Sequence, residues 1–112
     1  MQVRATAKYI RMSPRKARMI MQGLRGMRVE EALTVLRFTP KPGAKYVAKV
    51  LESAAANAES NYDLAVGQLR IHRIYAGDAR TLHRFRAAAR GRSQPQLKRT
   101  CHITVVVSDD QE

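Results

Sequence analysis

The chain has 112 residues, which is enough for one domain with one core and too few for several domains. It carries 21 Lys and Arg against 9 Asp and Glu, and the net charge of +12 favours a polyanionic partner that neutralises this repulsion. A hydrophobic content of 45% supports a core and excludes uniform disorder. No apolar stretch approaches the roughly 20 residues of a membrane helix and the N-terminus has no signal-peptide pattern, so we expect a cytoplasmic protein without a membrane partner.

The basic residues are concentrated in two arms of the chain. The first arm, residues 1–28, has 8 basic and no acidic side chains, and the second arm, residues 69–108, has 9 basic and 1 acidic. The two arms indicate two surfaces for phosphate, although two solvated basic faces would give the same pattern. The candidate phosphate contacts are Arg4, Lys8, Arg11, Arg15, Lys16, Arg18 and Arg25 in the first arm, and Arg80, Arg84, Arg86, Arg90, Arg92, Lys98 and Arg99 in the second.

The first arm predicts a strand followed by a helix. Residues 3–10 alternate in polarity with the period of a half-buried strand. Ser13 can cap a helix that begins at Pro14 and runs to about Arg25, and Gly26 then supplies its end. One stripe of this helix is basic, and the stripe that we expect to pack contains Ala17, Ile20, Met21 and Leu24.

The middle of the chain predicts two more helices. Glu30 and Glu31 suit the first turn of a short helix that ends near Arg37, because negative charge is stabilised at a helix N-terminus. The sequence Thr-Pro-Lys-Pro-Gly at residues 39–43 breaks the chain. A third and longest helix follows, roughly from Ala44 to Tyr62, with core positions at Val47, Val50, Leu51, Ala54, Ala55 and Ala58.

The second arm predicts two strands separated by a basic segment. Leu69 to Tyr75 is rich in β-formers, and Cys101 to Val107 alternates, with the single cysteine at a half-buried structural position. The segment from Ala79 to Thr100 has seven basic and no acidic side chains and cannot form a core of its own. It forms either a long functional loop or a ribbon that continues the two strands, with its turn near residues 89–92.

No catalytic, metal-binding or cofactor-binding pattern is present in the sequence, so we expect no enzyme and no cofactor. The three histidines lack metal-ligand spacing, and phosphate-loop, HExxH and GxSxG motifs are absent. The six aromatic residues do not cluster as a base-stacking platform does, and we expect most of them in the core, with Phe85 in the basic segment as the exception.

A helix-turn-helix DNA reader is the main alternative. The first two predicted helices with Gly26 between them have suitable spacing. Glu30 and Glu31 argue against it, because they would meet DNA phosphate at the start of the recognition helix. A membrane-surface peptide is less favoured, since the basic segment has no broad apolar face.

Several separated motifs, in one order and register, resemble the ribosomal protein L-twenty-two family of the bacterial large subunit. The match covers nearly the whole chain, and the absence of the extensions found in archaeal and eukaryotic relatives leads us to expect the bacterial or organelle type. The motifs are Ser-Pro-Arg-Lys-Ala-Arg at 13–18, Leu-Arg-Gly at 24–26, Glu-Glu-Ala at 30–32, Val-Ala-Lys-Val-Leu-Glu-Ser-Ala at 47–54, Ala-Asn-Ala at 56–58, Ala-Arg-Gly-Arg at 89–92, Lys-Arg-Thr at 98–100 and His-Ile-Thr-Val at 102–105.

This resemblance implies an α+β domain in which three helices pack on a small three-stranded antiparallel sheet, with a long basic β-hairpin. The single domain would have a globular part at about 1–78 and 100–110 and a hairpin at about 79–99. The family's protein binds large-subunit ribosomal RNA, here through the candidate phosphate contacts named above, aids subunit assembly and contacts neighbouring ribosomal proteins. We expect no homo-oligomer. The hairpin lines the nascent-peptide exit tunnel in this family, and the tip residues implied here are Ala87, Ala88, Ala89, Arg90 and Gly91.

The sequence departs from the family pattern mainly in the hairpin. Gly-Asp-Ala-Arg at 77–80 replaces a common acidic-acidic-Gly-Pro turn, and Ala-Ala-Ala at 87–89 replaces Pro-Arg-Ala. Cys101 occupies a position that is usually Ser. Arg28 occupies the usual Ser cap of the second helix, a loss of about 0.5 to 2 kcal/mol that packing or RNA must offset.

Overall fold

The structure of the protein is a computed structural model that describes residues 1–87 and 93–109. Its α+β architecture is the predicted one: two helices pack on one face of a three-stranded antiparallel sheet, the remaining helix packs on one of these, and a two-stranded ribbon extends from the sheet. The strands are β1 (Gln2–Ile10), β2 (Arg70–Asp78), β3 (Leu82–Ala87), β4 (Ser93–Lys98) and β5 (Cys101–Ser108), and the helices are α1 (Pro14–Met21), α2 (Val29–Arg37) and α3 (Ala44–Tyr62).

The buried face of the sheet is built on β5, which lies between β1 and β2. The antiparallel register pairs Val3 with Val107 and Ala5 with Val105, so the predicted alternation of β1 places its apolar row against the helices. Cys101 is fully buried on this face, where a half-buried position was expected. Burial raises the pKa of the Cys101 thiol, which keeps it in its neutral form.

The predicted alternation of β1 fails at Tyr9. This residue has a φ of +58°, and the register with β5 shifts between Ala7 and Ile10. The shift turns the Tyr9 side chain outward, where it is 61% exposed. The expectation that most aromatic residues lie in the core is also wrong, because Phe38, Tyr62 and Tyr75 are exposed as well.

Helix α1 begins as predicted and ends earlier than predicted. The Ser13 side-chain oxygen accepts a hydrogen bond from the Lys16 backbone N–H at 3.2 Å, and Pro14 follows at the first helical position. Gly23, with a φ of +85°, provides the left-handed residue after the helix. Gly26 instead belongs to the next turn, where its N–H donates to the Ile71 carbonyl at 2.8 Å. The predicted packing stripe is confirmed, since Ala17, Ile20, Met21 and Leu24 are buried.

Helix α2 begins after Arg28, without a side-chain cap, as the sequence predicts. Arg28 is its N-cap residue and makes no side-chain capping hydrogen bond. The backbone on either side is held against the start of β2, because the Val29 N–H donates to the Leu69 carbonyl at 3.1 Å and the Ile71 N–H donates to the Met27 carbonyl at 2.9 Å. Residues 22–28 separate α1 from α2, a longer connection than the roughly three- or four-residue turn of a helix-turn-helix motif.

Helix α3 has the predicted bounds and carries much of the core. It packs on β1, β5 and α2 through a buried row of apolar residues. Ala54 and Ala58 are both 0% exposed, and their small side chains allow the sheet and the neighbouring helix to approach closely. Asp63 ends the helix in the left-handed conformation, with a φ of +53°.

Of the two alternatives for the basic segment, a long loop or a ribbon, the structure shows the ribbon. Strands β3 and β4 pair from Leu82 opposite Lys98 to Ala87 opposite Ser93. At the base of the ribbon, the Ala79 N–H donates to the Thr100 carbonyl at 3.2 Å and the Thr100 hydroxyl donates to the Arg80 carbonyl. The turn at residues 88–92 lies outside the described residues.

Replacing Ser13 with Ala should destabilise the protein by about 1 kcal/mol, because the Lys16 N–H loses its capping partner. The free energy of unfolding, measured in urea, checks this. Ser53→Ala is the matched control, since Ser53 is exposed within α3 and forms no cap. Equal losses in the two variants would show that the Ser13 cap contributes nothing specific.

Candidate nucleic-acid interface

The two basic arms converge on one cleft of about 850 Å³. Arg11 and Lys16 come from the first arm, and Lys98 and Arg99 come from the second. Lys41, from the loop between α2 and α3, adds a fifth cation. No acidic residue is among the described residues that line this basic cleft, so its positive charge is not offset locally.

The lining of the basic cleft combines cations with apolar and aromatic surface. Met12, Met19, Ile20 and Tyr46 contribute to it, and Tyr46 is half-buried. The capped N-terminus of α1 opens onto the cleft at Ser13 and has no acidic residue in its first turn. Helix N-termini favour anions, and the lysine and arginine heads can reach solvent while their stems cover apolar surface. The arrangement suits the phosphates and sugar surface of a nucleic acid.

Lys41 is a candidate site residue that the sequence reasoning missed. Its segment was interpreted only as a break between helices, because it contains two prolines and a glycine. Gly43 is buried, and a side chain there would collide with Met12 and Ile20. The loop can therefore lie close against the end of β1 and against α1, which brings Lys41 to the cleft. The only signal in the sequence was a lysine between two prolines.

Arg18 is not among the described residues that line the basic cleft, and its side chain contacts the end of β2, at the base of the ribbon. Its Nε and Nη2 groups donate to the Ala76 carbonyl at 3.2 and 2.8 Å. The same guanidinium lies 3.9 Å from an Asp78 carboxylate oxygen, although both side chains are largely exposed and the ion pair is weak. Arg18 therefore joins α1 to the end of β2 and is only partly available to an RNA phosphate.

The other candidate phosphate contacts are distributed over the surface. Arg4 and Lys8 are exposed on β1, and Arg15, Arg25 and Arg80 are exposed outside the basic cleft. Ala87 lies at the end of β3 and pairs with Ser93 of β4. Arg84 and Arg86 belong to β3. The structure does not describe the remaining candidates, which are Arg90 and Arg92 and the tip residues Ala88, Ala89 and Gly91.

His72 and His102 both contact polar groups of β1. His102 Nδ1 accepts a hydrogen bond from the Tyr9 backbone N–H at 3.0 Å. His72 Nε2 lies 3.1 Å from Nε2 of the Gln2 side-chain amide. Within residues 1–87 and 93–109, no group of three or more His, Cys, Asp or Glu could hold a metal ion. None of the described helices has the length and apolar character that a membrane span requires.

Comparison with known proteins gives consistent matches over nearly the whole chain. The family model described as "Ribosomal protein L22p/L17e" matches residues 5–108. A protein of Clostridium novyi is 50% identical over 109 residues, which cover 97% of this chain and 98% of that protein. A protein of Halothermothrix orenii is 46% identical over 112 residues, which cover 100% and 99%. Both are named large ribosomal subunit protein uL22.

Replacing Lys41 with Ala should weaken binding to structured RNA and flatten its salt dependence. Each lost phosphate contact lowers the slope of log affinity against log salt by about 0.7 to 0.9. Titrations over a series of KCl concentrations measure both quantities. Lys49→Ala is the matched control, because Lys49 is an exposed lysine on α3 outside the cleft. Equal slopes for the two variants would remove Lys41 from the interface.

Proposed function

Because the chain belongs to the ribosomal protein L22p/L17e family, we propose that it binds large-subunit ribosomal RNA through its basic cleft and its basic ribbon. Membership makes it a structural protein of the large ribosomal subunit and not an enzyme, in agreement with the sequence analysis. The two relatives named above are bacterial ribosomal proteins, so the protein resides in the ribosome, in the cytoplasm.

The observation that carries the proposal is the convergence of five cations from three separate segments on one cleft. Arg11, Lys16, Lys41, Lys98 and Arg99 line it without a carboxylate among its described lining residues. A protein of +12 net charge that concentrates cations in this way is stabilised by a polyanion. RNA binding releases the counterions condensed on its phosphates, which favours association further.

A role in subunit assembly follows from the separation of the basic surfaces. The basic cleft lies where the globular part, about residues 1–78 and 100–110, meets the ribbon, about residues 79–99, because Lys98 and Arg99 of the ribbon line it. The ribbon carries five further basic residues. Arg18 and Thr100 fix the base of the ribbon by hydrogen bonds to backbone carbonyls. A single copy of the protein can thus hold different RNA segments and neighbouring ribosomal proteins in a fixed relation. No homo-oligomer is needed for this role.

We assign the ribbon tip, Ala87 to Gly91, to the wall of the nascent-peptide exit tunnel. Support comes from the family resemblance and from the composition of this segment, which contains three alanines and a glycine. Small side chains suit a wall beside which a growing peptide passes. The antiparallel pairing of β3 and β4 supports a ribbon that projects from the globular part.

The purified protein should co-sediment stoichiometrically with large ribosomal subunits through a moderate salt wash, because many phosphate contacts and a threaded ribbon act together. Quantitative gel analysis of the pelleted subunits measures the stoichiometry. Lysozyme, another small basic protein, is a suitable control and should be removed by the same wash. Removal of the protein by the same wash that removes lysozyme would contradict stable binding to the subunit.

A photo-crosslinking probe at Ala88 should label the growing peptide in assembled, translating ribosomes. The matched probe at Lys49, on the exposed side of α3, should not label it. Gel analysis of a radiolabelled nascent chain distinguishes the two. Labelling of outer-surface proteins alone by the Ala88 probe would contradict the tunnel assignment and leave RNA binding through the cleft unaffected.

A further inference from the structure

The face of the sheet opposite the helices is not covered by any described part of the chain. On β5, His102, Thr104 and Val106 lie on this open face, between residues of β1 and β2. The register places Arg4 and Arg73 on either side of Val106. Thr104 and Val106, on the central strand, are only 5% and 8% exposed. The exposed groups of the open face therefore lie on its two outer strands.

Its charge is positive and uncompensated. Arg4, Lys8 and Arg73 are exposed. Alternation along β1 places Arg4 and Lys8 on the open face, and the register shift after Ile71, which pairs Arg73 with Val106, places Arg73 there. Within the described residues, the side chains of these three residues form no hydrogen bond and no ion pair. Two strand spacings separate Arg4 from Arg73, about 10 Å between Cα atoms, which leaves room for a polynucleotide backbone along β5. Arg73 was not among the residues predicted to contact RNA.

Aromatic rings lie at the ribbon end of the same face. Tyr75 is opposite Thr104 and 45% exposed. The Tyr9 ring meets the His102 ring edge to face, with centroids 4.8 Å apart. Gly77 is opposite His102 and adjacent on this face to Tyr75, and a side chain at Gly77 would meet nothing within 4 Å. No other side chain therefore covers the surface at Gly77, which leaves the exposed side of the Tyr75 ring accessible to a planar group from solution.

We propose that the open face binds an unpaired segment of large-subunit ribosomal RNA, with a base stacked on Tyr75 over Gly77 and phosphates bound by Arg4, Lys8 and Arg73. This inference rests on the proposed RNA-binding function and adds a second surface to it. Stacking requires the face of a base, which single strands expose and duplexes hide. Three unpaired cations favour RNA over a protein partner, which would have to supply carboxylates.

Tyr75→Trp tests the stacking directly, because the chain contains no other tryptophan. A single-stranded RNA of about eight nucleotides, of mixed sequence, should quench the indole fluorescence to saturation, since that length lies within the range bound by comparable surfaces. A duplex RNA of equal length should leave the fluorescence largely unchanged. Absence of quenching by the single strand, or equal quenching by the duplex, would overturn the proposal.

Matched pairs of variants, one on the open face and one elsewhere on the surface, show whether single-stranded RNA binds this face specifically. Tyr75→Leu should weaken binding of the single strand by about fivefold or more, the equivalent of roughly 1 kcal/mol of lost stacking, and Tyr75→Phe should retain it. Tyr62→Leu, at an equally exposed tyrosine at the end of α3, should have no effect. Arg73→Gln should weaken binding, and Arg37→Gln, on α2, should not.

Binding of each variant to whole large-subunit RNA distinguishes failure of this inference from failure of the proposed function. If Tyr75→Leu binds the single strand as the wild type does, while Lys41→Ala still weakens binding to the whole RNA, the open face is not a base-stacking surface and the cleft assignment stands. If the wild type binds neither RNA, both proposals fail. Circular dichroism confirms that each variant is folded.

Discussion

The pairing of β5 with both β1 and β2 is the interaction on which the rest of the molecule depends. It joins residues 2–10 to residues 70–78 through a strand at 101–108, and so brings the two basic arms into one sheet. The buried side of this sheet receives α1 and α3, which complete the core. The basic cleft, the open face and the base of the ribbon all take their positions from this pairing. Without it, the cations of the two arms would have no fixed relation.

The pairing also concentrates positive charge that the protein itself does not neutralise. Among the described residues, ion pairs join the N-terminus to Asp109 and Arg18 to Asp78, and both pairs involve exposed groups. Such pairs contribute little to stability. The core must therefore hold the fold against this repulsion. A two-stranded ribbon such as β3–β4 is marginally stable by itself, so RNA contacts would stabilise it as well.

Local signals in the sequence determined the elements whose causes are local. The Ser13–Pro14 pair predicted the start of α1, because a capping oxygen and a fixed φ act within one turn. Helix α3 was predicted with its observed bounds, since the break at residues 39–43 and the apolar periodicity that follows are both continuous in the chain. The core stripe of α1 followed from its helical period. The separated family motifs indicated the α+β fold and the ribosomal role.

Contacts between distant residues decided the rest. Lys41 joins the cleft because a glycine two residues later packs on a methionine and an isoleucine from another part of the chain. Tyr9 turns outward because β1 shifts its register against β5, and Arg18 meets the Ala76 carbonyl because α1 packs beside β2. A charge pattern specifies that a cation is present and exposed. Only tertiary packing decides which cations share a surface, because their neighbours come from segments far apart in the sequence.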